Sequence, residues 1–137
     1  DPLMSEEIQV VCSPSLMQGD DPITSIATLR RHRLIRHSTR PHSWDHWFRS
    51  IEESHHDVQW GPSLEHFFMI VEAAKSGLGV ALLPSFLIAA EIAKGTLVEP
   101  LSIRVAGPGA YYLVTPATKA DLPRVRTFRS WILSQVR

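Results

Sequence analysis

Gly77 to Pro84, GLGVALLP, follows a strongly apolar helical stretch and reads as a helix turning into a wholly buried strand. Upstream, Phe67, Phe68, Ile70, Val71, Ala73 and Ala74 recur at helical spacing after Glu65 and His66, with Glu72 and Lys75 on the other face. Gly77 suits the left-handed residue that closes a helix, and Gly79 permits close approach of backbone. Val80 to Leu83 has no polar alternation, so it predicts a central strand. Downstream, Pro84 and Ser85 stop that strand. Phe86 to Lys94 predicts a second helix closed by Gly95, and Leu97 to Pro100 turns extended again. The unit is α/β alternation.

The remaining pattern is consistent with this reading. Glu6 to Ser13 predicts a strand that begins abruptly after Asp1 to Ser5, as in a cut chain, and Gly19 to Pro22 a turn-rich loop. Thr24 to Arg31 predicts a short weak helix, Arg33 to His37 a short strand, and Ser38 to His42 a loop. Ser43 can cap a helix whose third position is His46 and whose buried stripe is Trp44, Trp47, Phe48 and Ile51. Val58 to Trp60 is extended, and Gly61, Pro62 and Ser63 lead into the long helix. Arg104 to Gly109 predicts a loop, because Gly107, Pro108 and Gly109 oppose regular structure. Asp121 to Gln135 predicts a closing helix with Pro123 in its first turn and Leu122, Val125, Phe128, Trp131 and Ile132 on one side. The tryptophans, Phe67 and Phe68 read as core.

Composition bounds the function. With 137 residues, 44% hydrophobic and 20% charged, the chain can bury one core. No stretch is long and apolar enough to span a bilayer, so no membrane association is expected. A single cysteine, Cys12, forbids an internal disulfide and suits a reducing, cytoplasmic setting as a buried thiol. Fourteen basic and fourteen acidic residues balance, which argues against this segment gripping a phosphate backbone. The basic patch Arg30, Arg31, Arg33 and Arg36 reads as a solvated face.

The segment FFMIVEAAKSGLGVALLPSFLIAAEIAKGTLVEPL resembles the signature of the effector-binding domain of LysR-type transcriptional regulators. EEIQVVCSPSL near the start and AYYLVTPATKADLPRVRTFRSWIL at the end resemble the flanking segments of the same domain, in the same order. VCSPSL, STRPHSW and YYLV look most like the branch that activates glycine cleavage and β-lactamase genes. The resemblance implies an α/β, type 2 periplasmic-binding-protein-like fold of two lobes, the second complete and the first only partly present. On that mapping residues 1–13 form the hinge strand into the second lobe, 14–110 that lobe, and 111–137 the return strand and closing helix of the first. It also implies a homodimer or tetramer, a small-molecule effector, plausibly a carboxylate, and DNA binding through a helix-turn-helix domain absent from this chain. The alternative is a periplasmic-type solute-binding protein used in transport, which shares the two-lobed architecture.

Open parallel sheets bind ligands beyond the carboxyl ends of their strands, where helix N-termini present N–H groups. Ser38, Thr39, Arg40, Pro41 and His42 follow a strand and precede a helix, so hydroxyls, a guanidinium and backbone donors converge where an anion is welcome. His66 and Phe67 stand at the mouth of the long helix. Both places match positions that line the inter-lobe cleft of LysR-type regulators, and Tyr111 matches a cleft-facing tyrosine of the return strand. Against these roles, Ser38 and Thr39 can bond their own backbone, and Arg40 can pair with an acid. His66 is a cleft donor or a helix cap. Tyr111 or Tyr112 faces the cleft according to strand register.

No catalytic apparatus is visible. His42 and His46 stand four apart, as zinc sites require, but a third ligand is not evident and the glutamate of the HExxH pattern is lacking. His55 and His56 read as loop. No GxSxG elbow or GxGxxG loop occurs, so no enzyme, cofactor or metal is expected.

Overall fold

The computed structural model describes residues 1–136, which divide into two compact units. The larger is Glu7–Gly107, and the smaller is Asp1–Glu6 together with the chain from Pro108 onward.

In the larger unit GLGVALLP does what its composition demands. The helix α3, Phe67–Lys75, is followed by Gly77 at φ 79°, and strand β4, Ala81–Pro84, is buried along its whole length. β4 pairs antiparallel with β1, Pro2–Val11, in the register Ile8 to Pro84 and Val10 to Leu82. Beside it runs β2, Arg33–His37, parallel to β3, Gln59–Leu64. The parallel bridge of Leu34 and Val80 joins the two strand sets: Val80 donates to the Arg33 carbonyl and Ile35 to that of Val80, both at 2.8 Å. On the other side of β1 lies β5, Arg104–Tyr112. The predicted extended stretch Leu97 to Pro100 shrinks to a bridge between Val98 and Cys12.

Successive side chains of these strands enter opposite cores, which is why the sequence shows no polar alternation. Ile8, Val10, Leu34, Val80 and Leu82 pack with Trp44, Trp47 and Phe48 of α2, Ser43–Ser50, and with Leu29 of α1, Ile26–Leu29. Val11, Ile35, Ala81 and Leu83 pack with Ile70, Ala73 and Ala74 of α3 and Ile88 of α4, Ser85–Lys94. Each fully buried leucine or valine here contributes about 1.5–3 kcal/mol. The four-residue α1 survives weak propensity through a capping box, in which Ser25 and Thr28 side chains accept from each other's backbone N–H. Cys12 is fully buried, and burial pushes its thiol up to about 11.

Several expectations fail for identifiable reasons. Gly61, Pro62 and Ser63 lie inside β3 rather than in a lead to α3, because β3 is paired on one side only and carries an extra residue where its register against β2 shifts. Arg104 to Gly109 is strand rather than loop; β5 is the edge of its sheet, so Pro108 can lack an N–H without breaking an interior ladder. His42, not Ser43, is the N-cap residue of α2. Ser43 is already helical and its hydroxyl donates to the Arg40 carbonyl at 3.0 Å. Trp44 and Trp47 are core, but Trp60 and Trp131 are 41% and 53% exposed, and Phe68 is 68% exposed.

In the smaller unit, the Asp1 backbone pairs with Leu113 in both directions, at 2.8 and 3.1 Å. The Arg129 guanidinium grips the Asp1 carboxylate with two hydrogen bonds. α5, Pro123–Gln135, begins with its proline where a missing donor is harmless. Its apolar side is shallow: Leu122, Val125 and Ile132 are half-buried, while Phe128 lies exposed against Trp131.

Candidate functional site

The carboxyl end of β2 turns back over the amino end of α3, and this brings two of the predicted stretches together within the larger unit. A tight turn over His37 to Arg40 is closed by the Arg40 N–H on the His37 carbonyl at 3.0 Å, while the Ser38 N–H donates to Leu64 of β3 at 2.9 Å. The Arg40 guanidinium lies 4.9 Å from the Phe67 ring centre, a cation–π contact that ties the turn to α3. His66 is the N-cap residue of α3 but makes no side-chain cap hydrogen bond, which removes the capping alternative. Its ring instead stacks on Phe68, with centroids 5.5 Å apart.

One member of this cluster was not among the candidates. His37, the last residue of β2, meets Phe67 edge-on at 4.7 Å and accepts the Thr39 N–H on Nδ1 at 3.3 Å. The Thr39 hydroxyl lies 3.0 Å from the same nitrogen. Burial lowers the His37 pKa below its ordinary 6.5, and the positive charges of Arg40 and His66 lower it further. Strand periodicity offered no hint, because a terminal strand residue turns towards its loop only once the loop has folded.

The turn's backbone donors are therefore engaged: the N–H groups of Ser38, Thr39 and Arg40 all have partners within the protein. The Thr39 hydroxyl, the Arg40 and His66 side chains and the first turn of α3 stand together here against the Phe67 ring. Ser38 is exposed beside them. Pro41 and His42 are exposed turn residues leading into α2. Tyr111 is half-buried near the end of β5, in the smaller unit, while Tyr112 is 61% exposed. Of the two histidines at zinc-like spacing, His46 spends Nε2 on the Ala106 carbonyl at 2.8 Å.

A profile of the LysR substrate binding domain matches residues 1–137. The chain belongs to that family. Among its relatives, this LysR substrate-binding domain is 35% identical over 133 residues to the glycine cleavage system transcriptional activator of Escherichia coli K12, covering 97% of the chain and 43% of the relative. It is 34% identical over 134 residues to the transcriptional activator AmpR of Providencia stuartii, covering 98% of the chain and 44% of that protein. The chain thus spans less than half the length of these curated relatives. The effector domain of AmpR from Pseudomonas aeruginosa superposes with a TM-score of 0.84 at 25% identity, over 98% of this chain and 63% of that one. The fold is accordingly the type 2 periplasmic-binding-protein-like architecture of LysR effector domains, and the relatives named are regulators. These matches give the transport reading no support.

No helix among the described residues is long and apolar enough to cross a membrane.

Proposed function

We propose that this LysR substrate-binding domain senses a small anionic metabolite, a carboxylate, on behalf of a cytoplasmic DNA-binding regulator, and carries out no catalysis of its own. The observation that supports the anion is the meeting of Thr39, Arg40 and His66 at the end of β2, against Phe67. A hydroxyl that can turn, a guanidinium and an imidazole beside a helix N-terminus together favour negative charge. Ser38, Pro41 and His42 belong to the same site in this reading, and Tyr111, in the smaller unit, is a separate candidate ligand contact. In this assignment residues 1–13 and the strand from residue 111 are the hinge segments, 14–110 the second regulatory lobe, and the closing helix part of the first. The effector acts by population shift, favouring one arrangement of a homodimer or dimer of dimers and so the spacing of its DNA-binding heads.

A thermal-shift series with small carboxylates and amino acids tests this. A ligand at one hundred times its Kd stabilises the folded chain by about 2.7 kcal/mol. Thr39→Ala removes one charge-assisted hydrogen bond, about 1.5–3 kcal/mol, and should weaken binding roughly ten- to hundredfold. An effector that shifts the midpoint of the Thr39→Ala chain as much as that of the parent takes the site away from this turn.

A further inference from the structure

The Thr39 turn contains a conflict that the anion reading alone leaves unresolved. Both of the Thr39 groups that suit an anion, N–H and O–H, are directed at one imidazole nitrogen, His37 Nδ1, at 3.3 and 3.0 Å. A nitrogen that accepts a backbone N–H carries no proton of its own, so the ring is neutral with its hydrogen on Nε2. The hydroxyl proton then also points inward, and Thr39 shows only lone pairs to the pocket. That arrangement repels an anion.

Adding one proton reverses every element of it. Protonated Nδ1 donates to Thr39 Oγ1, which turns the hydroxyl proton outward, and the Thr39 N–H loses its acceptor and becomes available. The surroundings set the sign of the coupling. The charges acting on the ring are Arg40, on its own turn, and His66, at the head of α3, both cationic when charged. Leu64 of β3 and Phe67 of α3, the neighbours of His37 on those elements, bring none. A bound anion places negative charge beside the ring and so favours the imidazolium.

We propose that His37 is the positioning residue of this site: it holds the Thr39 donors inward when neutral and releases them to the ligand when protonated, so that an anion binds together with a proton. The inference rests on the anion reading and adds its regulation. By linkage, anion affinity rises as pH falls through the His37 midpoint, and the bound anion raises that midpoint by the same factor. A tenfold preference for the protonated form appears as a shift of about one pH unit.

Histidine-selective NMR on the chain between about pH 5 and 8 tests this, with sulfate as probe because it keeps its double charge across the range in which histidine titrates. Chloride at matched ionic strength is the reference, and loss of the signal in His37→Asn assigns the resonance. The expected result is the Nε2–H tautomer in chloride, a midpoint raised in sulfate, and a sulfate affinity, read from the Thr39 amide, that increases about tenfold or more towards low pH. In His37→Asn, whose side-chain oxygen replaces Nδ1 as acceptor without titrating, that pH dependence should vanish. Should the variant misfold, the parent titration alone decides. Sulfate binding at Thr39 with equal strength at both ends of the range, and an unmoved His37 midpoint, would overturn the proton coupling and leave the anion site standing. Failure of sulfate to perturb Thr39, Arg40 or His66 at any pH would instead remove the anion site itself.

Discussion

Gly79→Ala is the substitution that most directly probes how the sheet is closed. A β-carbon at residue 79 would sit 2.6 Å from the Arg33 carbonyl oxygen and 3.1 Å from Ile35 Cγ1, and the φ of Gly79 lies outside the left-handed region, so the whole cost is steric. To reach the 3.4 Å at which ordinary contact begins, the Arg33 carbonyl must retreat by about 0.8 Å. That oxygen is the acceptor of the Val80 N–H at 2.8 Å, and the same movement strains the return bond from Ile35 to Val80. Losing one of these bonds costs about 1 kcal/mol net. Forcing a methyl group into a filled core adds roughly 1–3 kcal/mol. Gly79→Ala should therefore destabilise by about 2–4 kcal/mol in urea unfolding, seen as a lower midpoint at unchanged slope. Gly95→Ala is the control: its φ is +75° with nothing near the added carbon, so its cost is backbone strain alone, about 1–2 kcal/mol. If Gly79→Ala proves no more costly than Gly95→Ala, then β2 and β4 are not held together as described, and the placement of the His37 turn loses its foundation.

Two further predictions concern buried groups. Trp44 donates Nε1–H to the Ile35 carbonyl at 2.8 Å, whereas Nε1 of the fully buried Trp47 has no partner among the described residues. Trp44→Phe should cost about 1–3 kcal/mol more than a pure size reduction, and Trp47→Phe should cost less than Trp44→Phe; equal denaturation midpoints would contradict this. Cys12, raised from 9.0 to about 11, should be unreactive towards disulfide reagents in the native chain at about pH 8. Because the unfolded thiol ionises first, native stability should fall as pH rises between these two values, by about 2–3 kcal/mol in all, and Cys12→Ala should remove that part of the slope.

Much of the fold was legible locally. Arg33 to His37 reads as a strand and is one, and the helix before Gly95 ends on the left-handed residue that its glycine supplies. The misreadings concern edges. Gly61 and Pro62 carry turn chemistry, as do Gly107 and Pro108, yet both pairs lie in strands, because a bulge or an unpaired edge makes a missing N–H or side chain tolerable. Part of the candidate site was legible too: that Thr39, Arg40 and His66 stand at a strand end and a helix start follows from local pattern. His37 was not, since a residue that closes a strand carries no periodic mark of the loop that will fold back onto it.

The amino-acid order by itself determined which segments must be buried on both faces, where helices stop, and that helices and strands would alternate, since those outcomes depend on side-chain periodicity and on the backbone preferences of single residues. Tertiary structure alone decided that the Thr39 N–H is held by His37 Nδ1, that Ser43 bonds its loop instead of capping its helix, and that Phe68 faces outward from α3. Those depend on distances between residues from different elements, which no local pattern encodes.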